Sequence, residues 1–441
     1  MSKIKNISGF PEWLPQQKIV EERLIQRIKA IYSSFGFTPI ETPAVELVST
    51  LTSGSEVDKE IYAIRRLHDD GTKEAELALH FDLTVPLARY VAQHFSELDF
   101  PFKRYQLQKS WRGDRPQKGR FREFYQFDID IIARDTLPLS ADAETIMVLD
   151  QVFEALDCGK YLIRLNNRKI LLGIYASLGL DDEQRRAAIV AVDKILKIGR
   201  DGVTKELTEQ VKLDSLVAEK IVDLADVRIV PSEAEYILSS LEIDDKTFVS
   251  GKQELVELIS ILPEETLKNI QIDLSLARGL DYYTGVILEV QLEDYPQFGT
   301  VASGGRYDDL ASRFINKKLP GVGVSLGLTR FLDLAFSNDL FPLDRKSPTQ
   351  VLVAVNSEQQ RKACNEVAQR IRDNGIACEV SLGSQRLGKQ IDYADAKGVR
   401  FVIFVDPDTQ HLEVKDLVSK EQHPIGDLSS WCRTTFGAIE A

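Results

Sequence analysis

Residues 103–132, KRYQLQKSWRGDRPQKGRFREFYQFDIDII, carry the side chains best suited to chemistry in this 441-residue chain. At a period of two, Arg104, Gln106, Gln108, Ser110 and Arg112 share one face of a strand. Gln126, Asp128 and Asp130 share one face of a second, with Phe127, Ile129 and Ile131 behind them. The loop between them, GDRPQKGRF, is basic and punctuated by Gly113, Pro116 and Gly119. Lys103 to Arg122 holds eight Lys or Arg against one acid, Asp114, while the whole chain carries a net charge of −13. So local a reversal of sign points to an anion site, phosphate first of all. A solvated edge hairpin would carry similar charge. Guanidinium facing amide and carboxylate, however, suits a zwitterion or a nucleotide better than it suits water.

Three further segments fit that chemistry. HFDLT, residues 80–84, sets Asp82 and Thr84 at a strand end. RGLDYYTG, residues 278–285, confines Arg278, an acid and the pair Tyr282 and Tyr283 between Gly279 and Gly285, a setting for a small polar ligand with a flat ring. Taken alone, such a tyrosine pair more often packs on a core edge. SGGRYDDL followed by GVGVSLGLTR offers Gly304 and Gly305 for close backbone approach to a ligand, and Arg330 one helical turn beyond Gly327. A fourth segment, GSQRLGKQ at 383–390, falls one residue short of a P-loop. Gln390 stands where a magnesium-binding hydroxyl belongs, so a plain βα turn explains it better.

The elements that must position these groups follow from periodicity. Leu24, Ile28, Ile31 and Phe35 recur at helical spacing and stop at Gly36. FTPIETPAVE is extended, since Pro39 and Pro43 exclude a central helix. ELALHFD predicts a strand running into a helix opened by Thr84 and Pro86, and a helix is expected from about Ala141 to Leu156. From Asp181 to about Glu265 the chain reads as a helical insertion. Strands return from Leu274, and SNDLFPLDRKSPTQ looks like a linker. Beyond it VLVAV, CEVSL and FVIFV alternate with helices, as in a small parallel α/β domain.

Length allows two or three domains. No apolar run reaches the roughly 18 residues that span a bilayer, and MSKIKNISGFPEW lacks a signal-peptide core. Four scattered cysteines and five well-separated histidines give no zinc constellation, and no metal-ligating set is expected. A reduced, cytoplasmic protein is the expectation. The pI near 5.1 excludes indiscriminate nucleic-acid binding while leaving room for a local basic surface.

WRGDRPQKGRFREFYQFDID resembles motif 2 of the class II aminoacyl-tRNA synthetases, GVGVSLGLTRF is similar to their motif 3, and GFTPIETPAVE to motif 1. RGLDYYTG and SGGRYDDL resemble the two signature peptides of the histidyl-tRNA synthetase family, and HFDLTVPLARY and LGKQIDYADAKG fit the same family. The resemblance runs from about residue 8 to 435. It implies an α+β fold: a six-stranded antiparallel sheet core with helices, a helical insertion and a C-terminal α/β anticodon-binding domain. The expected divisions are 1–178 and 266–336 for the catalytic domain, 179–265 for the insertion, 337–348 for a linker and 349–441 for the last domain. It further implies a homodimer formed through motif 1, with no membrane partner. L-histidine would be activated by ATP to histidyl-adenylate, with magnesium bound to ATP, and then passed to the terminal adenosine of histidine tRNA.

The resemblance also assigns roles. Arg112 contacts the α-phosphate and the histidine carboxylate, Arg278 the α-phosphate and Arg330 the γ-phosphate, with Gly327 and Asp114 also on the ATP side. Asp82, Leu83, Thr84, Gln126 and Asp130 hold the histidine amino group, and Tyr282 and Tyr283 surround the imidazole. Arg115 and Gln117 meet the acceptor end of the tRNA. Attack by the amino acid's own carboxylate needs no strong base, in keeping with a set lacking a His or Cys nucleophile. Two positions depart from the pattern: Thr329 replaces an acid before Arg330, and His80 stands where Arg is common. The competing expectation is a non-catalytic, histidine-binding regulatory paralogue of ATP phosphoribosyltransferase. Such paralogues typically lack the C-terminal domain and carry a degraded RGLDYYTG, and both are intact here. A synthetase for proline or threonine is disfavoured by the tyrosine pair beside Arg278.

Overall fold

The computed structural model describes residues 5–52, 60–68, 72, 74–278, 283–309, 311–406, 409 and 411–437. The chain divides into two compact units, one holding Gln26–Leu340 with the residues up to Pro11, the other Glu12–Ile25 and Phe341–Ala441.

Among the described residues the first unit holds twelve strands: β1 Thr38–Pro39, β2 Val45–Leu47, β3 Ala63–Ile64, β4 Leu77–Leu79, β5 Phe102–Trp111, β6 Glu123–Ile132, β7 Tyr161–Asn167, β8 Arg228–Ile229, β9 Ile270–Asp273, β10 Val286–Leu292, β11 Ala302–Tyr307 and β12 Gly321–Leu326. Nine of them form one sheet in the order β1-β5-β6-β12-β11-β10-β7-β9-β8, and β2-β4-β3 form a small second sheet. Every neighbour pair from β5 to β7 in that order is antiparallel, giving the expected six-stranded antiparallel core. Parallel pairings add β1 to one side and β9 to the other.

The 103–132 hairpin is therefore interior, flanked by β1 and β12. Its odd face is apolar: Phe127 and Ile129 are fully buried, and the Tyr32 ring meets Phe127 edge-on at 4.9 Å. The helices Ser140–Leu156 and Leu328–Ser337 meet through Phe153 and Phe331, 6.5 Å apart and edge to face. The even face is polar yet also buried, with Arg104, Gln106 and Ser110 at 0% exposure. That rules out a solvated edge. The 181–265 stretch is largely helical, as its periodicity predicts, with one short strand, β8.

In the second unit β13 Val351–Val353, β14 Cys378–Val380 and β15 Phe401–Val405 are parallel, in the order β14-β13-β15. Two strands that the sequence reading passed over, β16 Leu412–Asp416 and β17 Gln422–Ile425, extend this sheet antiparallel. β17 exposes Gln422, His423 and Pro424, and β16 is five residues long with only Leu412 and Val414 apolar, so neither makes the apolar run by which the other strands were read. Apolar clusters cover both faces of the sheet, one holding Val351, Ile403 and Cys432, the other Leu352, Ala394 and Val402. The P-loop look-alike is structural. Gln390 is buried in the helix Leu387–Ala396, and its amide accepts from Val355 N at 2.9 Å and donates to Val355 O at 2.9 Å.

Candidate active site

The register of β5 on β6 sets Arg104 opposite Asp130, Gln106 opposite Asp128 and Gln108 opposite Gln126. Arg104 Nη2 lies 2.5 Å from Asp130 Oδ2, and Tyr307 Oη donates to Asp130 Oδ1 at 2.8 Å. Asp130 fits there because its cross-strand partner is glycine: a Cβ on Gly323 would lie 2.0 Å from Asp130 Oδ1. A polar chain runs on from Arg104. Its Nη1 donates to Gln106 Oε1 at 3.3 Å, and Gln106 Nε2 donates to Gln108 Oε1 and Thr42 Oγ1 at 2.7 and 3.0 Å.

Two acceptors on this floor lack a donor among the described residues. Gln126 spends its amide N–H on Ser325 Oγ at 2.9 Å, leaving Oε1 buried and unbonded. Asp128, opposite Ser325 on β12, has Oδ1 in the same condition. Such groups are costly unless something completes them. Burial pushes the Asp128 carboxyl up to about 7, offset in part by Arg104 and Ser325, and Asp130 up to about 6, offset by Arg104 and Tyr307. Asp82 is also raised by burial and repels both, while Val85 N–H, Arg112 and His80 pull it down.

Asp82 sits where β4 gives way to the helix Thr84–Gln93. The sequence suggests that Thr84 caps this helix; instead Thr84 is its first residue, and Asp82 Oδ1 accepts from Val85 N at 3.1 Å. Leu83 is fully buried and its carbonyl accepts from Leu87 N at 3.2 Å. His80 is likewise buried, with Nε2 2.6 Å from Lys109 O and its ring against Trp111, a structural role for this departure.

Arg278 takes up φ +45°, uncommon for a residue with a side chain, and its carbonyl accepts from Arg168 Nη1 at 3.2 Å. Its Nη1 donates to Glu289 Oε1 at 3.2 Å, and its guanidinium stands 5.5 Å from the Tyr283 ring centre. Glu289 also accepts from Arg164 and Thr300, at 3.3 and 2.8 Å. Tyr283 is buried with Leu276 and Ile287. The space Gly305 leaves is filled by this ring, since a Cβ there would lie 2.8 Å from Tyr283 Cδ1. At Gly304 it would lie 2.0 Å from Gly323 O. Both glycines thus admit protein rather than ligand, a correction to the sequence reading. Tyr282 lies outside the described residues.

Arg330 stands in the first turn of Leu328–Ser337, after Gly327, whose N–H donates to Val301 O at 2.9 Å. It donates to Phe298 O and packs beside Gly119 at the tip of the hairpin loop, where Gly119 N donates to Asp333 Oδ2 at 3.2 Å. Lys118 lies 4.3 Å from the centre of the Phe298 ring. Burial and Arg120 lower the Arg330 pKa, and Glu289 opposes them. Thr329, the second departure, is buried and accepts from Tyr125 N at 2.8 Å, docking the helix on β6.

Arg112 donates to Phe81 O at 2.9 Å beside Asp82 and stacks 5.2 Å from the Phe124 ring centre. Arg112 and Arg120 both act on Glu60, whose carboxyl is raised by burial first and then by its hydrogen bond with Asp114. Arg120 thus acts on both Glu60, beside Arg112, and Arg330, while Glu289 acts on Arg330 and pairs with Arg278. Arg115 and Gln117 are exposed on the loop, where Gln117 and Arg120 close a tight turn. Arg104, Glu289, Tyr307 and Ser325 were not among the residues assigned from sequence. Arg104 was legible from its place on the polar face; the other three reach the site only through strand pairing.

This geometry has counterparts. The profile of the histidyl-tRNA synthetase family matches residues 9–331, and that of an anticodon binding domain matches 350–434. Histidine–tRNA ligase of Thermobifida fusca is 44% identical over 429 residues, 96% of this chain and 97% of that protein. Its Micrococcus luteus counterpart is 40% identical over 446 residues, 98% of this chain and 96% of that protein. Histidyl-tRNA synthetase from Nostoc sp. PCC 7120 superimposes with a TM-score of 0.88 at 34% identity, covering 99% of this chain and 100% of its own.

Proposed function

Because the chain belongs to the histidyl-tRNA synthetase family, we propose that its reaction centre is the floor of β5 and β6 together with the arginine rim above it. The activity is that of a histidine–tRNA ligase. L-Histidine is activated by ATP to histidyl-adenylate and pyrophosphate, and the histidyl group is then passed to the 3′-terminal adenosine of histidine tRNA.

Two observations support the assignment of roles. Gln126 and Asp128 carry buried acceptors without a donor among the described residues, and Arg112, Arg278 and Arg330, from three distant parts of the chain, each neighbour a carboxylate, Glu60 or Glu289. Asp82, Thr84 and Gln126 receive the ammonium of histidine, with Leu83 contributing backbone alone; Asp130 acts from its clamp between Arg104 and Tyr307. Tyr283, with Tyr282, encloses the ring. Arg112 bridges the histidine carboxylate and the α-phosphate, Arg278 meets the charge that develops on the α-phosphate, and Arg330 holds the γ-phosphate. Gly327 and Asp114 complete the nucleotide side. Arg115 and Gln117 meet the acceptor end of the tRNA.

Magnesium enters on the phosphates of ATP. Among the described residues no set of three or more His, Cys, Asp or Glu is grouped to hold an ion, and Glu289 is already engaged by Arg164, Arg278 and Thr300. The protein works as a cytoplasmic homodimer paired through motif 1; no described helix is long and apolar enough to cross a membrane.

ATP–pyrophosphate exchange against a panel of amino acids tests this reading. Exchange is expected with histidine and not with proline or threonine; robust exchange with another amino acid and none with histidine would falsify it.

A further inference from the structure

Behind Arg278 a row of alternating charges crosses the end of the sheet, β10-β7-β9-β8. Arg278 Nη1 donates to Glu289 Oε1 at 3.2 Å, and Glu289 Oε2 lies 3.3 Å from Nη1 of Arg164, its cross-strand partner between β10 and β7. Arg164 Nε and Nη2 both reach Asp273 Oδ2 at 2.5 Å. The other oxygen of Asp273 meets Arg228 Nη1 at 2.9 Å, across the pairing of β9 with β8. Ser275 ties this far end together. Its hydroxyl donates to Asp273 Oδ1 at 2.7 Å and accepts from Arg164 and Arg228, both at 3.0 Å. Arg228 in turn belongs to the 181–265 helical stretch, and its Nη1 donates to Ala225 O at 2.7 Å and Val227 O at 3.0 Å, where the helix Ser215–Ala225 ends.

Each inner member of the row is shared by two opposite charges. Its centre is dry, with Asp273 fully buried and Arg164 5% exposed, so water does not compensate when one member changes. Without the Arg228 charge, Asp273 keeps Arg164 alone and draws that guanidinium toward itself. Glu289 then has less of Arg164 and pulls harder on Arg278. Too tight a hold draws Arg278 back from a phosphate, just as too loose a hold leaves it unaimed.

We propose that Arg228 is a positioning residue for adenylate formation: through Asp273, Arg164 and Glu289 it sets how far Glu289 neutralises Arg278, and so couples the 181–265 stretch to the reaction centre. This rests on the assignment of Arg278 to the α-phosphate made above. Burial lowers the Arg228 pKa, Asp273 opposes that shift and Arg164 adds to it, as expected of groups that share one field. A buried ion pair adds little net stability over an apolar substitute, so the consequence of this row lies in where it holds its last guanidinium.

The test is single-turnover adenylate formation by the full-length protein, with KM values from ATP–pyrophosphate exchange. Arg228→Met is expected to slow adenylate formation by roughly 5-fold, with KM for ATP and for histidine within about 2-fold of wild type. Arg228→Lys, which keeps the charge, is expected to recover most of the rate. Arg228→Gln, which keeps a donor toward Asp273 without the charge, is expected to match Arg228→Met, and it replaces that variant should it melt early. The deciding measurement is a double-mutant cycle with Glu289→Gln, which cuts the row between Arg228 and Arg278. In that background Arg228→Met is expected to cost less than about 1.5-fold. Rates within about 1.5-fold of wild type in both uncharged variants would overturn the inference, as would Arg228→Lys being as slow as Arg228→Met. So would the same loss with and without Glu289→Gln, which would mean that Arg228 acts by another route. Near-normal turnover in Arg278→Ala would instead remove the reading of Arg278 itself.

Discussion

Arg104 and Asp130 face each other across β5 and β6 with Nη2 and Oδ2 2.5 Å apart, at 0% and 4% exposure, so neither charge is relieved by water. A pair this deep adds little net stability against an apolar substitute, but halving it is costly. Arg104→Met should therefore lower stability by about 3–5 kcal/mol in chemical denaturation, because Asp130 and Asp128 are left facing each other without their shared cation. The double variant Arg104→Met/Asp130→Leu should recover much of that loss while remaining unable to saturate with histidine. If the single and double variants are equally stable, the ion pair does not govern the fold of the floor.

The same burial gives a pH signature. Asp128 is raised to about 7 in the folded chain, with Arg104 and Ser325 opposing the shift and Asp130 and Asp82 enlarging it; the same carboxylate also acts on Tyr32 behind the sheet. A carboxyl whose folded pKa lies above its unfolded one binds more protons when folded. Its contribution is therefore full below about pH 4 and lost as pH rises toward 7. Without histidine, the Tm of the wild-type protein should fall between pH 5 and 7.5 more steeply than that of Asp128→Asn, by on the order of a few degrees. Parallel Tm profiles for the two proteins would show that Asp128 is ionised throughout.

Much of this floor was readable in the sequence, and its limits have physical causes. The even-numbered residues from Arg104 to Arg112 and from Gln126 to Asp130 stand on one face because strand periodicity leaves no alternative once the hairpin forms. Local sequence does not show which strand lies beside β6, so Ser325, Gly323 and Tyr307 emerged only with the antiparallel order β6-β12-β11. Burial was hidden for the same reason. A polar face reads as solvated until flanking strands and helices are in place. Gly304 and Gly305 were legible as sites of close approach, but not what approaches, which is the Gly323 carbonyl and the Tyr283 ring. The helix after β4 shows the converse: Thr84 looked like its cap, yet Asp82 does the bonding and so ties the carboxylate proposed to meet the substrate to a helix end.

Arg278 is held from two sides, its backbone by Arg168 and its guanidinium by Glu289, so its aim is set before substrate arrives. Arg278→Ala should slow adenylate formation by at least roughly 100-fold in single-turnover measurements, the scale of losing one contact to transition-state charge. Glu289→Gln keeps the shape but weakens the hold on both Arg278 and Arg164. A smaller loss, roughly 10-fold, is expected there, falling on kcat more than on KM for ATP. Near-normal turnover in Arg278→Ala would take that residue out of the mechanism.

Arg115 and Gln117 project from the hairpin loop into solvent, while Gly119 at the same tip is fastened to Asp333. The loop is anchored at one point and free to meet a polyanion at another. The double variant Arg115→Ala/Gln117→Ala should leave ATP–pyrophosphate exchange within about 2-fold of wild type and lower kcat/KM for tRNA charging by roughly 10-fold, since the proposed assignment puts the Arg115 charge on the tRNA and not at the adenylate site. Losing the Arg115 charge should also flatten the salt dependence of charging, with a slope in log–log form smaller by about 1. Equal loss of exchange and charging would place these residues with the nucleotide instead of the acceptor end.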